Sequence, residues 1–238
     1  HLCDRRQRQM CIRDSKKIVP EFVLKMRREF MLDQQRKKFH KGCKELLFKV
    51  DDILKENGIP YWLTYGTLLG AYREHNFIAH DYDLDVALDI RYLEKIKPLM
   101  LSNGLKLKFE VHFGSWENPQ NVEYRFEYNQ AFIDFDFYIV SEHSAYTYNP
   151  MLVKNIDYQE KNKLLPVIVE KIDNPFEGLA SFSFLGREFM VPSNTEEFII
   201  ANYGPNWRTP IKDFDYHSCA SNITAMPSEK FPGFMVNY

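Results

Sequence analysis

Aspartates stand inside two runs whose other residues read as covered strand, and a covered strand cannot keep a carboxylate without giving it a partner. The first run is HDYDLDVALD, residues 80–89, with Asp81, Asp83 and Asp85 at alternate positions. Successive side chains of a strand point to opposite faces. The three aspartates are therefore predicted to share one face while Tyr82, Leu84 and Val86 take the other. The second run is AFIDFDFYIV, residues 131–140, where Ile133, Phe135, Phe137 and Ile139 form one face and Phe132, Asp134, Asp136 and Tyr138 the other. Like charges side by side in an apolar setting are costly unless a cation neutralises them. The pattern points to a hard-metal site shared by Asp83 and Asp85 with a carboxylate of the second run, and spacing leaves open whether that is Asp134 or Asp136. A calcium loop of the EF-hand type does not fit. Counted from Asp81, its sixth and twelfth positions are Val86 and Tyr92, where that loop needs Gly and Glu. The plainer alternatives are an exposed acidic edge for the first run and a local cap or salt bridge for the second.

Ahead of the acidic runs lies a turn suited to phosphate. Tyr61–Tyr65 reads as a short strand of β-favouring residues, Gly66–Thr67 as a turn, and Leu68–His75 as a helix. Free N–H groups and the positive dipole end make a helix N-terminus a phosphate site. Gly66 lets the backbone approach, Thr67 is a candidate cap and hydroxyl donor, and Arg73 is a candidate phosphate clamp. Strand, Gly-Thr turn, helix, D-x-D strand and later carboxylate strand follow one another as in a nucleotidyltransferase site, where magnesium bridges carboxylates and nucleotide phosphates. The fold class expected is α/β (α+β): a nucleotidyltransferase-like mixed sheet flanked by helices, with an N-terminal helical arm.

Elsewhere helices are expected at about 19–38 and 41–57, the second carrying Leu46, Leu47, Val50, Ile53 and Leu54 as a buried stripe and ended by Asn57–Gly58 and Pro60. A further helix is predicted near 92–101, with strands near 104–111 and 122–128. Residues 141–181 read as a polar surface excursion that could carry acceptor specificity, and 182–191 as a hairpin. Ser193 and Glu196 read as a capping box opening a helix that ends at Tyr203–Gly204–Pro205. The domain reading is a non-native or disordered 1–15, a basic arm 16–40, a domain over 41–216 and a tail 217–238. The segment 1–15 looks like a translated adapter, so the natural N-terminus and any membrane anchor in it are expected to be missing. Residues 1–50 hold 15 Lys and Arg against 6 Asp and Glu, whereas the other 188 hold 16 against 27. We read the basic arm as a solvated helix rather than a nucleic-acid or membrane surface. No run is apolar enough for a membrane span. The four cysteines, Cys3, Cys11, Cys43 and Cys219, have no CxxC spacing. Asn222–Ile223–Thr224 is a glycosylation sequon, meaningful only in a secretory lumen.

Residues 58–90, GIPYWLTYGTLLGAYREHNFIAHDYDLDVALDI, closely resemble the core motif of the LicD/fukutin family. IDFDFY at 133–138 and PSNTEEFIIANYGPNWRTP at 192–210 are similar to that family's later strand and its C-terminal signature, and the ending leans to the fukutin-like branch. Two positions depart from the pattern: Asn76 where Gly is frequent, and His80 where Trp is. The resemblance implies transfer of phosphocholine or ribitol phosphate from a CDP-activated alcohol donor to a glycan hydroxyl acceptor, releasing CMP, with Mg2+ or Mn2+ as cofactor. It implies Asp83 and Asp85 as metal ligands, Asp134 or Asp136 as a further ligand or proton acceptor, and Asp81 at the rim as a second-shell or second-metal ligand. Gly66, Thr67 and Arg73 would cradle the phosphates, and His80 is a candidate contact to phosphate or acceptor. Tyr203, Trp207 and Pro210 read either as a stacking wall or as a structural clamp. Residence would be the secretory pathway (Golgi lumen) for a eukaryotic member and the cytoplasm for a bacterial one. A nucleotide-sugar glycosyltransferase with D-x-D, releasing a nucleoside diphosphate, and a non-catalytic scaffold of the same fold are the alternatives.

Overall fold

The computed structural model describes residues 21–154, 156–211 and 216–238. The expected non-native segment 1–15 lies outside the described residues. The chain divides into a unit 1–37, helical over its described part, and a unit 38–238. A single helix, α1 (Glu21–Glu56), covers the region where two helices were expected. Its run 38–56 buries Phe39, Cys43, Leu46, Leu47, Val50, Ile53 and Leu54, a stripe at the 3-and-4 spacing the sequence shows. Gly58, at φ +61°, takes the left-handed turn that leaves the helix.

After that turn come β1 (Tyr61–Leu63), α2 (Tyr65–Glu74), β2 (Leu84–Asp89), α3 (Leu93–Ser102), β3 (Lys106–Gly114), β4 (Pro119–Tyr128) and β5 (Ala131–Val140). Then follow β6 (Ser144–Leu152), β7 (Leu165–Pro175), the hairpin β8 (Leu179–Phe184) and β9 (Arg187–Pro192), α4 (Thr195–Tyr203), α5 (Tyr216–Cys219), β10 (Ile223–Ala225) and β11 (Gly233–Asn237). The architecture is mixed α/β. Pairings β5–β4, β4–β3, β3–β11, β11–β7, β7–β6 and β6–β5 close a ring of antiparallel strands, with β1 and β2 extending it beside β5 and β10 beside β7. The pair β2–β5 alone is parallel among the described strands, with Asp85 level with Asp134 and Ala87 with Asp136. Ile133, Phe135 and Phe137 turn into the main core with Leu84, Val86 and Leu88, as expected, but of the three aspartates of the first run only Asp85 lies on β2, and Tyr138, expected beside Asp134 and Asp136, joins that core.

Three expectations are corrected. Residues 141–181 are largely not a surface excursion: β6 and β7 pair from Ser144 opposite Pro175 through Leu152 opposite Val167, and the exposed part is the connection between them. Some of their polar residues face partners inside the fold. Thr147 donates to the Phe137 carbonyl (2.8 Å), and Asn174 accepts from Asn202 (2.6 Å) and Asn222 (2.8 Å). The capping box does not form. Asn194 is the N-cap, Ser193 Oγ donates to the Glu177 carbonyl (2.9 Å), and Glu196 pairs with Arg208 (2.7 Å). The stretch 217–238, read as a tail, supplies β10 and β11, and β11 sits between β3 and β7.

Glu110 ties this closure to α3. It is buried on β3 and accepts from Lys97 Nζ (2.6 Å) and Tyr238 Oη (2.5 Å), with His112 Nε2 at 3.6 Å. Burial pushes its carboxyl up, but the hydrogen bonds from His112, Lys97 and Tyr238 outweigh burial and hold it down at about 2. In the unfolded chain a glutamate titrates at about 4.3. The folded value is the lower one, so the stabilisation is present above that pH and is lost as pH falls towards 2. Thermal melts between pH 5 and 2.5 should show the melting temperature falling less steeply in Glu110→Gln than in the parent chain. Parallel curves would remove this residue from the acid response.

Candidate active site

The parallel pairing of β2 with β5, and the antiparallel pairing of β5 with β4, align side chains in two rows across three strands. One row is Asp85, Asp134 and Arg125; the next is Ala87, Asp136 and Glu123. Asp81 and Asp83 precede β2 rather than lying on it, and still meet the row. Asp83 accepts from Arg125 Nη2 at 2.5 Å, and Asp134 takes the same guanidinium through Nε (2.6 Å) and Nη2 (2.5 Å). The guanidinium carbon lies 4.9 Å from the Phe109 ring centroid and 6.0 Å from that of Phe132. Arg125 and Glu123 were missed in the sequence. Their signal was there: in VEYRFEY they alternate with Val122, Tyr124 and Phe126, as Asp134 and Asp136 alternate with phenylalanines.

The negative charge exceeds what one arginine neutralises. Burial, first, and then the neighbouring acids raise Asp85, Asp136 and Glu123 well above the usual carboxylate range. Burial likewise carries Asp83 up to about 8, with Arg125 opposing and Asp134 and Asp81 adding. Asp81 is raised chiefly by burial. Glu123 Oε2 is buried without a hydrogen-bond partner among the described residues, and the hydroxyls of Thr64, Tyr65 and Tyr138 are buried beside one another.

The Gly-Thr turn serves these acids directly. Thr67 does not cap α2; Thr64 holds the N-cap position, and its side chain makes no cap bond. Instead Thr67 Oγ1 accepts from Asp85 N–H (2.8 Å) while Thr67 N–H points to Asp85 Oδ2 (3.3 Å), locking the first turn of α2 to β2. A Cβ on Gly66 would stand 2.5 Å from Asp81 Oδ2 and 3.3 Å from Asp85 Oδ2, so glycine is what lets both carboxylates approach. Tyr65, just before it, has φ +39°, a left-handed strain that a non-glycine residue keeps only where its surroundings impose it.

Two cavities meet at Gly66, Asp81 and Tyr203. The larger, about 300 Å3, is lined by Asp81, Asp83 and Asp85 with Tyr65, Asn149, Asn202 and Tyr216. The smaller, about 190 Å3, holds Arg73, His80, Thr209 and the apolar Leu69, Ile78, Trp207 and Pro210. Asp134 and Asp136 line neither and are 8% and 7% exposed. Arg73 is engaged: Nη1 donates to the Trp207 carbonyl (3.0 Å) and Nη2 to Glu74 (2.7 Å). The Trp207 ring packs on Tyr72 (5.8 Å) and under Arg208 (4.3 Å), as a clamp does. Among the described residues no three His, Cys, Asp or Glu side chains stand in metal-ligating geometry. The donor set still suits a hard cation: oxygens only, three carboxylates on one cavity wall, and more buried negative charge than Arg125 offsets. None of the described helices is long and apolar enough to cross a membrane.

Residues 58–194 match the family described as LicD/FKTN/FKRP, nucleotidyltransferase domain. The chain belongs to this family. It is 30% identical over 187 residues to human ribitol-5-phosphate transferase FKTN, covering 78% of this chain and 37% of that protein. Human ribitol 5-phosphate transferase FKRP is 24% identical over 168 residues, 69% of this chain and 32% of FKRP. The chain thus spans about a third of the length of these curated relatives. An uncharacterized protein of Rickettsia prowazekii, RP689, is 33% identical over 87 residues, 33% of each chain. Among solved structures, lincosamide antibiotic adenylyltransferase LnuA bound to lincomycin aligns at TM-score 0.39 and 12% identity, over 62% of this chain and 78% of LnuA.

Two outcomes test the geometry of this LicD/FKTN/FKRP site. Gly66→Ala should keep the melting temperature within a few degrees, because the clashing atom is a movable carboxylate, yet lower activity at least about tenfold. Parent-like activity would remove the close approach from the mechanism. Asp85→Asn should raise the melting temperature of the metal-free chain at pH 8, since folding pushes this carboxyl well above its unfolded range, a cost that the amide does not carry. A lowered melting temperature would show that the acids are already balanced.

Proposed function

We propose that the chain transfers a phospho-alcohol, of the ribitol phosphate or phosphocholine type, from a CDP-activated donor to a hydroxyl of a glycan acceptor, releasing CMP. The observation that carries this reading is the alignment of Asp81, Asp83 and Asp85 along one cavity wall, beside a Gly-Thr turn bonded to Asp85, in a chain of the LicD/FKTN/FKRP family. Relatives in that family are named ribitol-phosphate transferases.

Asp83 and Asp85 would hold Mg2+ or Mn2+, which when bound supplies charge neutralisation at the donor diphosphate. Of the two carboxylates on β5, Asp134 is level with Asp85 in register; bonded through both oxygens to Arg125 and facing neither cavity, it would support this pair from behind. Asp81 lines both cavities, which supports giving it the proton of the acceptor hydroxyl. As the acceptor oxygen bonds to the phosphorus that carries the alcohol, the bond from that phosphorus to the CMP oxygen breaks and CMP departs with its electron pair. Gly66 and Thr67 keep the backbone close to the reacting phosphates, and the two cavities separate donor from acceptor. Arg73 and His80 line the smaller cavity; with Arg73 bonded to Trp207 and Glu74, its part is to shape that wall.

The test is CMP release by the purified chain from CDP-ribitol and CDP-choline with a glycan acceptor, with and without Mg2+. One donor should give metal-dependent CMP, and Asp83→Asn should reduce it by at least about 100-fold without loss of folding. Release of a nucleoside diphosphate from a nucleotide sugar would favour a glycosyltransferase. Full activity in Asp83→Asn would overturn the assignment.

A further inference from the structure

We propose that Arg125 is a positioning residue that acts as a built-in counter-cation, holding Asp83 and Asp134 together and setting how tightly the acidic site takes a divalent ion. The inference rests on the transferase reading only for its effect on turnover; its effect on metal binding stands by itself. Three observations lead to it. A single guanidinium reaches carboxylates that come from separate places in the chain, Asp83 ahead of β2 and Asp134 on β5. Its grip on Asp134 is the two-pronged Arg–carboxylate geometry that fixes direction as well as distance. It is packed too: Phe109 and Phe132 flank it, and its side chain is 21% exposed, so it cannot swing freely into water.

Asp83 lines the larger cavity while Asp134 does not, so Arg125 connects a carboxylate that faces substrate to one that lies beneath it. A divalent ion entering beside Asp83 and Asp85 meets a fixed positive charge behind them. That charge weakens the ion's hold through repulsion, and it keeps the emptied acids from driving one another apart. Arg125 thereby balances two needs of such a site, an ion that binds and carboxylates that stay in place without it.

The experiment measures Mn2+ binding to the purified full chain by electron paramagnetic resonance, with urea unfolding in parallel. Arg125→Met should bind Mn2+ at least about tenfold more tightly than the parent, because a nearby positive charge is gone. Asp134→Asn should shift affinity the opposite way, and the pair Arg125→Met with Asp134→Asn, which removes one charge of each sign, should return close to the parent value. Arg125→Lys keeps the charge without the two-pronged grip. It should bind Mn2+ within about threefold of the parent yet lose kcat with little change in donor KM. A role confined to packing would lower the urea midpoint of Arg125→Met and leave Mn2+ affinity within about twofold; that result, or no Mn2+ binding by the parent chain, overturns the inference. Should Arg125→Met fail to fold, the single Asp134→Asn and the charge-balanced pair decide it by their order of affinities. An Mn2+ pattern as expected with no turnover from any CDP-alcohol would sink the proposed reaction and leave this inference standing.

Discussion

The parallel pairing of β2 with β5 is the constraint on which the site depends. It sets Asp85 beside Asp134 in register and forces negative charge into a layer backed by Ile133, Phe135 and Phe137. In such a layer carboxylates cannot remain charged and mutually close without a positive partner. β4 supplies one from within the chain, Arg125, opposite Asp134. The charge left over is what makes the site apt for a cation from outside. Stability and function are therefore opposed at this point: the row that costs folding energy is the row that would do the chemistry.

The Gly-Thr turn shows the same economy of contact. In many proteins a threonine at a helix start caps the helix; here its hydroxyl accepts from Asp85 N–H and its N–H donates to the Asp85 carboxylate, which ties α2 to β2. Gly66 contributes by having no side chain, and Tyr65 by accepting a left-handed backbone. Strain, absent Cβ and reciprocal hydrogen bonds fall on three consecutive residues. The physical result is a backbone turn held rigidly against Asp81 and Asp85.

Where the fold departed from expectation, polar residues in strands were the cause. Thr147, Glu170 and Asn174 broke the apolar alternation that marks a strand, so the region they occupy read as loop. Their partners, Phe137, Tyr216 and Asn202, lie far away along the chain, and a hydrogen bond across the fold leaves no local mark. The sequon shows the same thing: Asn222 is tied through its amide to Asn174 and Asn202, which recasts it as part of that network. Ser193 and Glu196 carried a convincing local signature, yet tertiary partners at Glu177 and Arg208 drew both away from the helix start.

By itself the sequence determined the elements around the site, the family, and which aspartates would gather. Those depend on local regularities: the helical stripe from Leu46 to Leu54, period-2 alternation in the acidic strands, and the glycine ahead of Thr67. Tertiary structure alone decided that Arg125 stands between Asp83 and Asp134, that Asp81 and not Asp134 faces both cavities, and that β11 sits between β3 and β7. The physical reason is range. Propensity and periodicity act over a turn or a strand, whereas the balance of buried charge is settled among groups that meet only when separate strands pair.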